Sequence, residues 1–210
     1  MTTKQGEISV VTSGESSVAP DLAIVSFSVT ADGKQLAPTR DDVNRRASAV
    51  LAALRELGIA EGDINAPDVG IHPQYDYRKG QRLTGYHVAR QMTAKVRDLE
   101  RLGEVLDAVV AAGANEVHGA QMSAADPSAA EHRALAAAMA AARAKAEAVA
   151  SAAGVTLGAL TRLEEDADVG FQPMPKLAVM RMEDAGAVPT EVSAGDLTVT
   201  RRVRAWFAIG

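Results

Sequence analysis

Four histidines are the residues of this chain best suited to bind a metal ion or move a proton: His72, His87, His118 and His132. A zinc site on one helix wants two histidines three or four residues apart, or a His-Glu arrangement, and none of the four stands in such a pattern. His72 and His87 fall on the two arms of one predicted hairpin, where they can meet across strands. Exposed strand histidines are the plainer expectation. The run EEDAD, Glu164 to Asp168, starts like a calcium loop but lacks the turn glycine and the distal bidentate acid, so a solvated acidic loop is expected. TSGESS does not have the G-x-S-x-G spacing of a nucleophile elbow, and no phosphate-cradling glycine loop occurs. No catalytic residue, cofactor site or metal site is assigned on these grounds.

Other side chains point to contacts rather than chemistry. Arg201, Arg202 and Arg204 stand near Trp206, the sole tryptophan. Strand alternation puts Arg202 and Arg204 with Trp206 and sends Arg201 to the apolar face. Three arginines on one strand of an acidic chain make a thin footprint for nucleic acid; the strand is either an ordinary amphipathic one or an edge or subunit contact, since Trp and Arg are enriched in the centres of protein interfaces. Tyr75, Tyr77 and Tyr86 can cluster on one hairpin face, where burial against a helix is the expected outcome and a subunit contact or a small-molecule cleft are the alternatives.

The stretch RALAAAMAAARAKAEAVASAAGV, residues 133–155, belongs to a helix expected from Ser128 to about Ala153. Ser128 and Glu131 have capping-box spacing, and Gly154 suits a left-handed cap. Residues 129–153 include 15 alanines among 25, and the longest uncharged run, Ala134 to Ala142, is nine residues. A membrane span needs about 20 apolar residues, so no transmembrane segment is expected. Leu135, Met139, Ala142, Ala146, Val149 and Ala153 step by four and three along one face, and their small side chains permit close approach of another backbone. The helix either lies on its own sheet or forms a seam between subunits.

The elements that must position these residues follow from periodicity. Ala23, Val25, Phe27 and Val29 alternate as a strand, with Pro20-Asp21 separating it from an earlier one. PTRDDVNRRASAVLAALRELGI reads as a helix capped by Thr39, with Val43, Ala47, Val50, Leu54 and Leu57 inward and Gly58 ending it. A hairpin places Val69, Ile71, Tyr75 and Tyr77 on one arm and Tyr86, Val88, Met92, Ala94 and Val96 on the other, joined by RKGQRLTG. A helix begins at Asp98 with Leu99, Leu102, Leu106 and Val109 inward and stops at Gly113. Strands are expected over Glu116 to Met122, after Gly154, and over DLTVTRRVRAWFAI. The fold class is α+β: antiparallel sheets packed with three amphipathic helices in one unit over 6–209, divisible into two related modules near 98–125, with 166–195 as a projecting loop.

Composition narrows the function classes. The 210 residues are 47% apolar, enough to hide roughly 70% of the unfolded surface. A net charge of -5 and 3% aromatics argue against nucleic acid as a partner. The absence of cysteine excludes disulfides and thiolate metal sites. MTTKQGEISVVTSG has no apolar leader core, so the cytoplasm is the expected location, with a periplasmic or secreted location as the alternative if a leader was removed.

In order along the chain, ISVVTSGESSVAPDLAIVSFSV, then HPQYDY and GYHVARQMTAKVRDLERLGEVLDAVVAAGAN, then the alanine-rich helix and the closing LTVTRRVRAWFAI resemble the SIMPL-domain family (DUF541). The resemblance implies two related α+β modules, large ring-like homo-oligomers, and an envelope or stress-related role without an agreed biochemical activity. It brings no catalytic residues. The expected function is thus a non-enzymatic, self-assembling protein whose partner is itself. The expected contacts are Trp206, Arg202, Arg204, Leu135, Met139, Ala142, Ala146 and Val149, with the 171–182 loop. The competing reading is a small-molecule- or metal-binding protein, or an unrecognised enzyme, with a cleft between its modules.

Overall fold

A computed structural model of the chain describes residues 6–67, 69–78, 80–166 and 195–210. Its elements run β1 (Glu7–Val18), β2 (Leu22–Gly33), α1 (Leu36–Glu56), β3 (Ile64–Asn65), β4 (Gly70–Asp76), β5 (Arg82–Val96), α2 (Leu102–Ala111), β6 (Glu116–Ser123), α3 (Ser128–Ala153), β7 (Leu157–Asp166) and β8 (Leu197–Ile209). The named strands pair antiparallel throughout, which makes the fold α+β. They form two compact units, one of residues 6–20, 124–166 and 195–210, the other of residues 21–123. The projecting loop expected over 166–195, including 171–182, lies outside the described residues except at its ends.

In the unit of residues 21–123 the sheet order is β3-β5-β2-β6, with β4 also on β5. Alternation along β2 buries Ala23, Val25, Phe27 and Val29, and β5 adds Val88, Met92, Ala94 and Val96. Against this face lie Val43, Ala47, Val50 and Leu54 of α1 and Leu102, Val105 and Val109 of α2. Val105, not Leu106, is the fully buried middle residue of α2, with Leu106 partly buried beside it on the same core, and a short 3-10 turn over Leu99–Arg101 precedes the helix. Helix α1 starts three residues before the expected cap. Thr39 sits inside it, its hydroxyl donating to the Gln35 carbonyl at 2.7 Å. Pro38 does not prevent this start, since the first helical N–H groups have no intrahelical acceptor to lose. Gly58 leaves the helix at φ 83°, as a left-handed cap requires.

In the other unit the sheet order is β1-β8-β7, and α3 lies over β1 and β8. Leu197, Val199, Val203, Ala205 and Phe207 of β8 are buried, as alternation predicts. The buried stripe of α3 is Ala130, Ala134, Ala138, Ala142, Ala146 and Ala150. Every step is four residues rather than four and three. A row spaced by four winds obliquely around a helix, and this slant matches a twisted sheet, whereas an alternating four-three row suits a nearly straight seam. Each alanine buries about one methyl, roughly 0.8 kcal/mol. What the stripe supplies above all is proximity. Thr12 Oγ1 donates to the Ala138 carbonyl at 2.9 Å, and a Cβ added at Gly14 would lie 2.2 Å from both the Ala134 oxygen and the Ala138 nitrogen.

The capping box expected from Ser128 does not form. Asp126 instead accepts from the Ser128 N–H at 3.0 Å and from its hydroxyl at 2.5 Å. Ser128 is already helical, so its side chain has passed the position from which a box closes. The serine bonds hold the Asp126 carboxyl below its ordinary value, with a smaller contribution from nearby His132. Gly154, at φ 71°, ends the helix as expected.

Two outcomes follow. Gly14→Ala drives a methyl into the α3 backbone and should cost at least about 2 kcal/mol in urea unfolding, whereas Ser13→Ala on the opposite face should be near neutral. Asp126→Ala should lower stability at neutral pH. The carboxyl is depressed in the folded chain, so its contribution is present above the unfolded value of 3.8 and lost as pH falls through the lower folded value. Melting curves of the two proteins should therefore converge in acid.

Candidate interaction surface

The sheet face opposite α3 carries the outward residues of β8. Register sets them in three rows with their neighbours: Ser9, Trp206 and Arg162; Val11, Arg204 and Glu164; Ser13 and Arg202. The Arg162 guanidinium lies over the Trp206 ring at 4.8 Å and also pairs with Glu164. Thr161 Oγ1 donates to Glu7 Oε1 at 2.6 Å and bonds the Trp206 carbonyl at 3.2 Å. Arg202 and Arg204 are exposed and make no ion pair among the described residues. A shallow concavity of about 330 Å³ beside them is lined by Val11, Glu164, Glu165, Arg202, Val203 and Arg204. Arg201 turns the other way, as alternation predicts, and pairs with Glu131 of α3 at 2.5 Å and with Glu165 at 3.7 Å.

The α3 residues expected at a seam separate. Ala142 and Ala146 are wholly buried against the sheet of their own unit. Leu135 and Met139 are half-buried along its flank, and Val149 is 44% exposed. Among the described residues strand β7 is an edge, and Leu160 and Leu163 on it remain exposed, so an apolar margin runs beside α3. Glu164 and Glu165, expected in an acidic loop, lie in β7 and pair with Arg162 and Arg201. Asp166 ends that strand, and Asp168 lies outside the described residues. Extended pairing with β8 accounts for the difference, because it aims adjacent glutamates at arginines on opposite faces.

The tyrosine expectation is overturned. Tyr75 and Tyr77 stand at the tip of the β4–β5 hairpin, 39% and 72% exposed, with their rings 6.3 Å apart. Both lie at the turn end of the hairpin, while the covered part of β5 starts at Gly85 and Val88. Tyr86 is half-buried.

His72 and His87 do meet: they are register partners across β4 and β5, with stacked rings 6.5 Å apart. His118 is the extra residue of a bulge against β2, and its Nε2 lies 2.9 Å from the Ser28 hydroxyl. His132 is exposed on α3. No group of three or more metal-ligating side chains converges among the described residues. The displaced pKa values belong to local pairs and the Asp126 cap. Hydrogen bonds from arginine hold Glu61 (Arg55), Asp63 (Arg97) and Glu104 (Arg101) below the ordinary carboxylate range. A second shallow cleft of about 250 Å³ includes Leu57, Ile59, Arg97, Arg101 and Val105. Its arginines are already engaged by Asp63, Glu104 and the Leu57 carbonyl.

The family model described as SIMPL, a protein of unknown function (DUF541), matches residues 8–207. The chain belongs to the SIMPL family. It is 32% identical over 189 residues to uncharacterized protein YggE of Edwardsiella ictaluri, covering 88% of this chain and 77% of that protein. It is 34% identical over 181 residues to the 26 kDa periplasmic immunogenic protein of Brucella melitensis, covering 83% and 71%. Identity to uncharacterized protein YggE of Escherichia coli is 29% over 179 residues, covering 84% and 72%. SIMPL membership thus brings bacterial relatives and no named reaction. No helix of the described residues is long and apolar enough to cross a membrane.

Two features of this SIMPL chain were not legible in advance. Asp32 beside His87 and Arg162 over Trp206 both depend on register between distant strands. Arg162→Ala should uncover the indole, raising acrylamide quenching of Trp206 fluorescence while costing no more than about 1 kcal/mol in unfolding.

Proposed function

We propose that this SIMPL-family chain is a non-enzymatic, self-assembling protein of the bacterial envelope with a part in stress tolerance, its copies meeting through the sheet face around Trp206, Arg202 and Arg204. The observation that carries the reading is that face, uncovered among the described residues. It holds a half-buried tryptophan under a stacked arginine and two further exposed arginines without ion pairs among the described residues, and it is bordered by β7, whose exposed Leu160 and Leu163 turn toward the α3 side. Tryptophan and arginine are the side chains most enriched at interface hot spots, and an open edge offers unpaired backbone groups to a second chain. Leu135, Met139 and Val149 offer a further apolar contact along α3, on the other side of the sheet, while Ala142 and Ala146 serve by holding that helix in place. The periplasmic name of the Brucella relatives supports the envelope over the cytoplasm expected from the sequence. The stress link rests on the family resemblance.

Light scattering across a concentration series tests the reading. The expected result is a particle of many subunits that Trp206→Glu with Arg204→Glu dissociates, with a red shift of Trp206 emission on dilution of the parent. A mass of 21.9 kDa at every concentration would overturn it.

A further inference from the structure

The β4–β5 ladder sets two histidines side by side, away from the face around Trp206. His72 and His87 are direct cross-strand partners, with ring centroids 6.5 Å apart and planes 27° from parallel. Nδ1 of His87 lies 3.0 Å from Asp32 Oδ1 on the neighbouring β2, where Asp32 is its register partner. An ionised carboxylate only accepts, so this contact places the His87 proton on Nδ1 and leaves Nε2 with its lone pair. Gln74 Nε2 donates to the same Asp32 oxygen at 2.8 Å and holds the carboxylate in place. His72 makes no hydrogen bond among the described residues and is exposed. On the same face Gly70 lies two residues before His72, and Gly85 and Ala89 flank His87. Nothing larger than a methyl group therefore stands at these three neighbouring positions.

We propose that His72 and His87 form a two-imidazole site for a late divalent transition-metal ion, Cu²⁺ above all, with Asp32 as a positioning residue. Imidazole nitrogens suit copper, nickel and zinc, and among divalent ions of the first row affinity peaks at Cu²⁺. A carboxylate on the second nitrogen of a ligating histidine fixes its tautomer and raises its basicity, which is the relation Asp32 has to His87. Its negative charge also offsets that of the ion. His72 breaks no hydrogen bond as it rotates toward its partner, and this rotation closes the ring separation to one that metal–nitrogen bonds of about 2.0–2.1 Å can bridge. No third ligating side chain converges among the described residues, so water completes the shell. Two imidazoles with oxygen ligands match the tetragonal preference of Cu²⁺ and differ from the closed four-ligand set of structural zinc.

The test is titration of the full chain with Cu²⁺, followed by calorimetry and by pulsed electron paramagnetic resonance, which counts coordinated imidazoles. One ion per chain with two imidazoles is expected. His72→Ala and His87→Ala should each weaken binding tenfold or more and leave one imidazole signal. Asp32→Asn should weaken it by about tenfold or more, the usual effect of losing a partner of a metal-ligating histidine. His118→Ala and His132→Ala should bind as the parent does. If His87→Ala does not fold, the exposed His72→Ala variant decides the matter. Parent-like copper binding in His72→Ala would place the ion elsewhere on the chain, such as its amino terminus, and overturn the proposal. So would equal losses in the His118 and His132 variants. These readouts do not depend on subunit mass, so failure of the assembly reading leaves the copper test intact.

Discussion

The unit built on β1, β8 and β7 depends on how closely α3 lies against β1. Gly14 removes the side chain at the crossing, Thr12 ties its hydroxyl to the Ala138 carbonyl, and a stripe of six alanines keeps the helix surface low. The helix is thereby seated by backbone proximity as much as by buried area. Larger apolar groups come from the sheet side, in Val10, Val203 and Phe207, and pack into the space that the alanines leave. The edges of this contact are fastened by long polar side chains. Lys145 reaches the Val11 carbonyl and Arg133 reaches Ser16 and Ser17. Their alkyl stems cross the margin of the core while the charged heads find acceptors at its rim.

Because α3 covers one face of that sheet, the other is free to carry polar and aromatic groups. The rows around Trp206, Arg204 and Arg202 are a direct consequence of antiparallel register. Positions that alternate out of the core on β8 meet outward positions of β1 and β7. The arrangement suits contact with a macromolecule better than chemistry on a small one. Its concavity is shallow, and Arg162 and Glu164 are already matched to each other.

The unit of residues 21–123 separates stability from exposure in another way. Strand β5 is long enough to serve both purposes. Its C-terminal half is buried between β2 and α1, while its N-terminal half runs out with β4 as a hairpin. Side chains along that extension meet few core atoms, which is why Leu83 stays exposed, and with it Tyr75 and Tyr77, although the spacing of the two tyrosines satisfies a buried-face pattern. The same ladder brings His72 to His87, and the neighbouring pairing of β5 with β2 brings Asp32 alongside.

Element types, the buried alternation of β2 and β8, the inward face of α1 and the glycine stops at Gly58 and Gly154 were all determined by local sequence, since backbone preference and a period of two or 3.6 act over a few residues. The division of Arg201 from Arg202 and Arg204 belongs with them. Tertiary structure decided the rest. Which row of α3 is buried depends on the twist of the sheet beneath it, so the stripe falls on Ala130 through Ala150 and only partly on the seam that spacing suggested. The cap at Asp126 depends on where the helix actually begins. Whether tyrosines on a strand are covered depends on how far the helices extend over it. The pairing of Asp32 with His87, and of Arg162 with Trp206, comes from register between strands separated by tens of residues, and no local period encodes that register.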